Sequence, residues 1–151
     1  MNTPAYKQPV SVLVVIYTRQ GEVLLLERAD FPGYWQSVTG SVEWGEAIAD
    51  TARRELQEET GISGHAVDDW QQQNLYDIYP HWQHRYPPGT TQNEEHVFAV
   101  CLPGQVAVTL SPREHLSYRW LPWREAAAQV FSPSNQAAIL QLAHRLSEPR
   151  R

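Results

Sequence analysis

The sequence predicts an α/β fold, a mixed sheet flanked by helices, on three observations. Two β-branched apolar runs, Val10–Thr18 and Glu22–Arg28, flank the turn dipeptide Gln20-Gly21 and read as a β-hairpin with at least one central strand. Residues 46–60 instead repeat apolar side chains at helical spacing, with Ala47, Ile48, Ala52 and Leu56 on one stripe. Several short strand signals then precede two closing helices, 123–130 and 134–146.

In chain order, residues 30–33 contain Pro32 and Gly33 and form a loop, and residues 35–39 a short strand that leads into the first helix. Gly40 is expected to permit the tight turn from strand to helix, and Glu46 lies near the helix N-terminus, where the dipole favours an anion. Gly61 can adopt the left-handed conformation that ends the helix after Thr60. Further strands are expected at 66–70, 73–79, 96–102, 107–110 and 117–121, with a long loop at 84–93 carrying Pro87, Pro88 and Gly89. Ser134 is the expected N-cap of the last helix, whose apolar positions are Ile139, Leu142 and Leu146. Residues 147–151 read as a frayed tail. No repeat or low-complexity segment interrupts this pattern.

The 151 residues suit one domain over 1–151, with 42% apolar and 19% charged residues. The net charge of −5 argues against nucleic-acid binding, which needs a basic surface. The apolar run at 10–17 is too short to span a bilayer, and the preceding MNTPAYKQP lacks a secretory cleavage pattern. Cys101 is the one cysteine, so no intrachain disulfide can form, and its neighbours Phe98, Ala99, Val100 and Leu102 suit a core thiol better than a nucleophile. These features place the protein in the cytoplasm.

One turn of the first helix carries Glu55, Glu58 and Glu59. Residues at i, i+3 and i+4 share a helix face, so three carboxylates converge and repel unless a cation sits among them. A hard divalent metal fits best, because magnesium takes carboxylate oxygens and keeps positions for water or phosphate oxygens. An ExxEE run alone is more often a solvated acidic face. Here, however, Gly40 is followed after five residues by Glu46, after seven more by Arg54-Glu55-Leu56, then by Glu58-Glu59 and Gly61-Ile62. This order resembles the Nudix box at every fixed position. The resemblance implies an α/β/α sandwich, divalent cations and cleavage of a nucleoside diphosphate linked to another group. It also implies that Arg54 supports a catalytic glutamate, a role its planar fork suits.

Other stretches extend the likeness: YKQPVSVLVVIY from 6, YWQSVTGSVE from 34, HRYPPGTTQNEE from 84 and EHLSYRWL from 114. Together they resemble the bacterial dihydroneopterin triphosphate diphosphatases within the Nudix family, which release pyrophosphate and leave the monophosphate. That resemblance implies Glu55, Glu59 and Glu114 as ligands of Mg²⁺ or Mn²⁺, and a small-molecule triphosphate as partner, with no nucleic acid and no membrane. It also implies a substrate site lined by Lys7, Arg28, Thr39, Tyr76, Asp77, Ile78, Tyr79, His115 and Ser132. Glu58 and Glu114 are both candidates for the catalytic base, with Arg54 beside them.

Blander readings compete. Lys7 and Arg28 are ordinary surface charges by composition, and Tyr76 and Tyr79 ordinary sheet aromatics. His81 and His84 have zinc-like spacing but no further ligand that pairs with them. Cleansing of damaged nucleoside triphosphates is the alternative within the same chemistry, and non-catalytic nucleotide sensing the alternative outside it. Sensing would be signalled by loss of a metal glutamate, and none is missing.

Overall fold

The computed structural model describes residues 6–146. Its centre is β1 (Val10–Thr18), which runs parallel to β6 (Gln92–Leu102) along its whole length, from Val10↔Glu94 to Thr18↔Leu102. On its other edge β1 changes partner. Near its end it meets β2 (Glu22–Arg28) at Tyr17↔Val23, and near its start it pairs with β4 (Val38–Ser41), from Ser11↔Ser41 to Val14↔Val38. β2 pairs with β7 (His115–Pro122) from Glu22↔Pro122 to Arg28↔His115, and on its other edge with β3 (Trp35–Gln36) at Leu26↔Gln36 and Glu27↔Trp35. β5 (Asp68–Asp77) closes the far side against β6. The result is a mixed, seven-stranded sheet.

Successive strand residues point to opposite faces, so β1 feeds two cores at once. Val12, Val14 and Ile16 pack with Ala52 and Leu56 of α1 (Ile48–Thr60). Leu13, Val15 and Tyr17 pack with Ala126, Ile139 and Leu142 from α2 (Trp123–Gln129), α3 (Pro133–Leu140) and α4 (Leu142–Arg145). Helices therefore cover both faces. This is the α/β sandwich expected from the sequence.

The departures have local causes. The strand expected at 35–39 is two strands, because the chain crosses from β2 to β1 at Ser37. Asn135 fills that split, accepting from the Ser37 N–H at 2.8 Å and donating to its hydroxyl at 2.9 Å. The separate strands at 66–70 and 73–79 are one strand, β5, whose register shifts between Asp69 and Gln72, with Gln71 at φ 56°. Residues 107–110 are not a strand. Val106, Val108 and Leu110 alternate inward onto the α1 core, but Thr109 donates to the Thr60 carbonyl at 2.9 Å, so the backbone ties to a helix end rather than to a sheet.

Within the expected loop at 84–93, a 3-10 turn over Pro80–Arg85 runs in and β6 starts early, at Gln92. The last helix is capped by Ser132 instead of Ser134, with Pro133 at its first position. It breaks at Gln141, where i to i+3 bonds replace the α-helical pattern. Ala47 precedes α1 and is exposed rather than on the buried stripe. Cys101 is half-buried against one core. The tail at 147–151 lies outside the described residues, and among the described residues no helix is long and apolar enough to cross a membrane.

Candidate active site

The carboxylate-bearing turn of α1 lies directly over β4. Gly40 sits inside β4 opposite Val12 and has no positive φ, so it is not there to make a turn. Its role is space. A Cβ at this position would lie 2.1 Å from Glu55 Cδ, so only glycine lets that carboxyl rest against the strand. Gly61 behaves as expected, closing α1 at φ 75° with its N–H on the Gln57 carbonyl.

Arg54 organises the acidic cluster from one side. It binds both oxygens of Glu46, at 2.8 and 3.0 Å, and donates to Glu55 at 2.8 Å, to Glu58 at 3.3 Å and to the Ser41 carbonyl at 3.1 Å. The bidentate bond from Arg54, aided by the Thr51 hydroxyl at 2.6 Å, pulls the Glu46 pKa down to about 2. Glu46 is therefore a fixed anion that aims Arg54, and Arg54 in turn aims Glu55. Glu58 stays mostly exposed, with this guanidinium as its ion-pair partner.

On the other side the charge balance reverses. Burial pushes the Glu55 carboxyl up to about 7 against the pull of Arg54. Glu59 is 5% exposed, and burial, Glu55 and contact with Glu114 push it up to about 10. The Thr39 backbone is its favourable partner, while Glu59 Oε2 is buried with none among the described residues. Glu114 sits where β2 meets the start of β7, its carbonyl accepting from Ala29 N at 2.9 Å. His115 follows it, 3% exposed, paired across the ladder with Arg28. Ligand atoms of Glu59, Glu114 and His115 all lie within 4.8 Å of one another. Burial lowers the His115 pKa, which keeps the imidazole neutral, and its Nδ1 has no partner among the described residues.

These residues fit a hard divalent cation. An orphaned buried carboxylate oxygen on Glu59 and two neighbouring carboxyls, Glu55 and Glu59, whose charged forms are disfavoured by burial and mutual repulsion are what such an ion would relieve. Sequence reasoning placed His115 with the substrate residues. The structure brings it into reach of Glu59 and Glu114 as a possible ligand, a contact that the isolated Glu114-His115 pair did not reveal.

The remaining residues fall around this centre. Thr39 lies on β4 with its backbone toward Glu59 and its hydroxyl accepting from Gln36 at 3.3 Å. The Arg28 fork holds Asp30 at 2.8 and 2.6 Å and lies 5.6 Å from the ring centres of both Phe31 and Phe131. Ser132 caps α3. Tyr76 points its hydroxyl at Ser11 on the face opposite α1, and burial raises its pKa to about 12. Asp77 accepts from Gln92, Ile78 is buried, and Tyr79 is 62% exposed, stacked on His81. Lys7 is exposed, its N–H on the Arg85 carbonyl at 2.7 Å. None of these last five, Tyr76, Asp77, Ile78, Tyr79 and Lys7, touches the carboxylate cluster in any described contact.

The perturbed carboxyls have a pH consequence. In the metal-free protein Glu59 and Glu55 have pKa values above the ordinary 4.5, at about 10 and about 7. Their contribution to stability is complete below the unfolded value and is lost as pH rises through the folded values. Without divalent ions, stability should fall from about pH 5 upward. Cation binding near pH 7.5 should then release between about one and two protons. Calorimetric titration in buffers of different ionisation enthalpy reads this directly, and a buffer-independent heat would rule out proton-coupled binding here.

The NUDIX domain matches residues 7–142. The chain is 44% identical over 146 residues to the dihydroneopterin triphosphate diphosphatase of Escherichia coli K12, covering 93% of this chain and 96% of that protein. It is 38% identical to the Haemophilus influenzae protein of the same name, covering 89% and 87%. The solved structure of the E. coli dihydroneopterin triphosphate pyrophosphohydrolase superimposes with a TM-score of 0.83 at 43% identity, covering 93% of this chain and 99% of that one. A carboxylate cluster built on this loop and helix, within a domain matched along nearly its whole length, has one family to which it answers: the chain belongs to the NUDIX domain family.

Proposed function

We propose that this protein hydrolyses 7,8-dihydroneopterin triphosphate to dihydroneopterin monophosphate and pyrophosphate, as a single cytoplasmic domain loaded with Mg²⁺ or Mn²⁺. The observation that carries the reading is the buried, unpartnered oxygen of Glu59 facing Glu55, Glu114 and His115. The relatives' names supply the substrate.

Glu55, Glu59 and Glu114 would hold the cation, with His115 in reach. A divalent ion there neutralises polyphosphate charge and acidifies a water. The protein's own residues do the rest. Arg54, locked on Glu46, fixes Glu55 so that the site does not reorganise during reaction. Glu58 and Glu114 are exposed enough to take a proton from an attacking water, whose oxygen forms the new P–O bond as the pyrophosphate oxygen departs with the bonding electrons. Arg28, at the mouth beside His115, and Lys7 can neutralise the departing charge. Neutral His115 adds no charge of its own.

Comparison of kcat/KM for dihydroneopterin triphosphate, GTP, dGTP, ADP-ribose and a dinucleoside polyphosphate with Mg²⁺ tests this reading. The pterin should be preferred over GTP by about tenfold to a hundredfold, because polar groups left unpaired by the wrong heterocycle each cost about 1–3 kcal/mol. Pyrophosphate, not orthophosphate, should be the inorganic product. A higher kcat/KM for dGTP would leave the hydrolase chemistry standing and remove the pterin assignment.

A further inference from the structure

A second buried carboxyl lies away from the metal-site cluster. Glu95 on β6 is 6% exposed, yet among the described residues it forms no ion pair. Its partners are two neutral groups, the Asn74 amide at 3.3 Å and the Ser134 hydroxyl. A carboxylate can accept about four hydrogen bonds, so acceptor capacity is left over in a place where unmet capacity is costly. If Glu95 only tied β5 and β6 to α3, a neutral glutamine would do so without burying a charge.

The ladder shows which face of the sheet Glu95 lies on. Asn74↔Glu95, Glu95↔Ser11 and Ser11↔Ser41 are successive partners across β5, β6, β1 and β4, and partners in register share a face. That face also carries Tyr76, whose hydroxyl is hydrogen-bonded to Ser11 and feels the charge of Glu95, and Asn93, which donates to Ser11 at 2.8 Å. Two residues along β4 from Ser41 is Thr39, whose side chain shares this face and whose backbone is met from the α1 side by Glu59 of the carboxylate cluster. Glu95 thus stands two strand spacings from β4, roughly 10 Å. With about 7 Å more along β4 from Ser41 to Thr39, the span is that of a bicyclic heterocycle on a three-carbon chain whose first phosphate lies at the cluster. Burial raises the Glu95 pKa, and two ligand N–H donors would favour its ionised form.

We propose that Glu95 is a specificity-determining residue that reads the heterocycle of the substrate, accepting from the ring N–H and the 2-amino group of a 2-amino-4-oxopyrimidine edge, with Tyr76 and Asn74 at its margin. The proposal rests on the pterin reading for the identity of the heterocycle, but the recognised edge is shared by guanine. A carboxylate offers two parallel acceptors to two parallel donors, a bidentate match that a carboxamide cannot make.

The test uses Glu95→Gln, the triphosphate substrate and one pair of analogues. With dihydroneopterin triphosphate and Mg²⁺, E95Q should raise KM about 10- to 100-fold and leave kcat within about twofold, since Glu95 is remote from the reacting phosphorus. Calorimetric Kd values are then measured for the α,β-methylene analogues of GTP and ITP, which differ by the 2-amino group alone. Wild type should bind the GTP analogue at least about tenfold more tightly, and E95Q should bind both equally. A wild-type protein that does not distinguish the two analogues, or does not bind them, overturns the proposal without recourse to any variant. So does an E95Q protein that keeps the wild-type preference or loses kcat in place of KM. If E95Q does not fold, Glu95→Asp, which keeps the carboxylate, should fold and retain the preference, and its failure to do so counts against the proposal. A wild-type preference for the GTP analogue without turnover of dihydroneopterin triphosphate would sink the pterin reading and leave this one standing.

Discussion

Replacing Glu59 with glutamine is expected to lower kcat on the order of a thousandfold while the protein stays folded. The side chain is 5% exposed and one of its oxygens is buried without a partner, so its carboxylate is placed for something other than stability. A neutral amide of the same shape is a poor ligand for a hard cation. The same substitution should raise the melting temperature in the presence of a chelator at neutral pH. The metal-free fold already prefers Glu59 uncharged, its pKa lying near 10, and glutamine supplies an uncharged group permanently. It should also abolish most of the gain in melting temperature that millimolar Mg²⁺ gives the wild type. Kinetics at saturating Mg²⁺ and paired thermal scans decide the matter. Near-normal kcat would remove Glu59 from the metal site.

Opposite demands are met here between Glu46, just before α1, and Glu55 and Glu59 in its second half. Glu46, gripped by Arg54 and Thr51, is stabilised as an anion down to about pH 2 and acts as a rigid brace. Glu55 and Glu59, desolvated beside Glu114, are strained as anions, a strain that a bound cation would relieve. Pairs of carboxyls pushed apart in this way mark which is structural and which is functional. Arg54 joins the two sets, so its loss should disturb both.

Much of this was legible in the sequence, and the reasons for the rest are physical. Strands β1 and β2 were readable to their ends because their apolar runs are bounded by turn residues. The spacing of Arg54, Glu55, Glu58 and Glu59 was enough to expect these side chains together, as the structure places them, because helical periodicity converts spacing into a shared face. What local pattern could not reveal depended on partners distant in the chain. Asn135 splits one expected strand at Ser37, 98 positions away. The alternation at 106–110 reads as a strand, yet its backbone partner is the end of α1. Glu95 and Asn93 look like loop polar residues, because nothing local shows that the parallel ladder to β1 buries them. The role of Gly40 was read as conformational when it is steric. That distinction needed the position of Glu55.

Gly40→Ala should therefore act through a side chain on another element. Its new Cβ would lie 2.1 Å from Glu55 Cδ and 2.5 Å from Oε1, so the carboxyl must swing off β4. The strand itself has little freedom to yield, since Gly40 is paired with Val12 in a ladder whose neighbours Leu13 and Val14 are core residues. Swinging away breaks the 2.8 Å bond from Arg54 and moves a metal-site carboxylate by an ångström or more. Misplacement on that scale costs on the order of a hundredfold in kcat/KM. Because a buried, strained carboxyl is being released, the melting temperature of the metal-free protein should change little. The effect should appear instead as a higher Mg²⁺ concentration for half-maximal activity. Gly104→Ala supplies the control, for a Cβ there meets nothing within 4 Å and its φ is not positive. Parallel Mg²⁺ titrations of the two variants separate the cases: equal, near-wild-type activity for both would show that Glu55 does not need the space that Gly40 leaves.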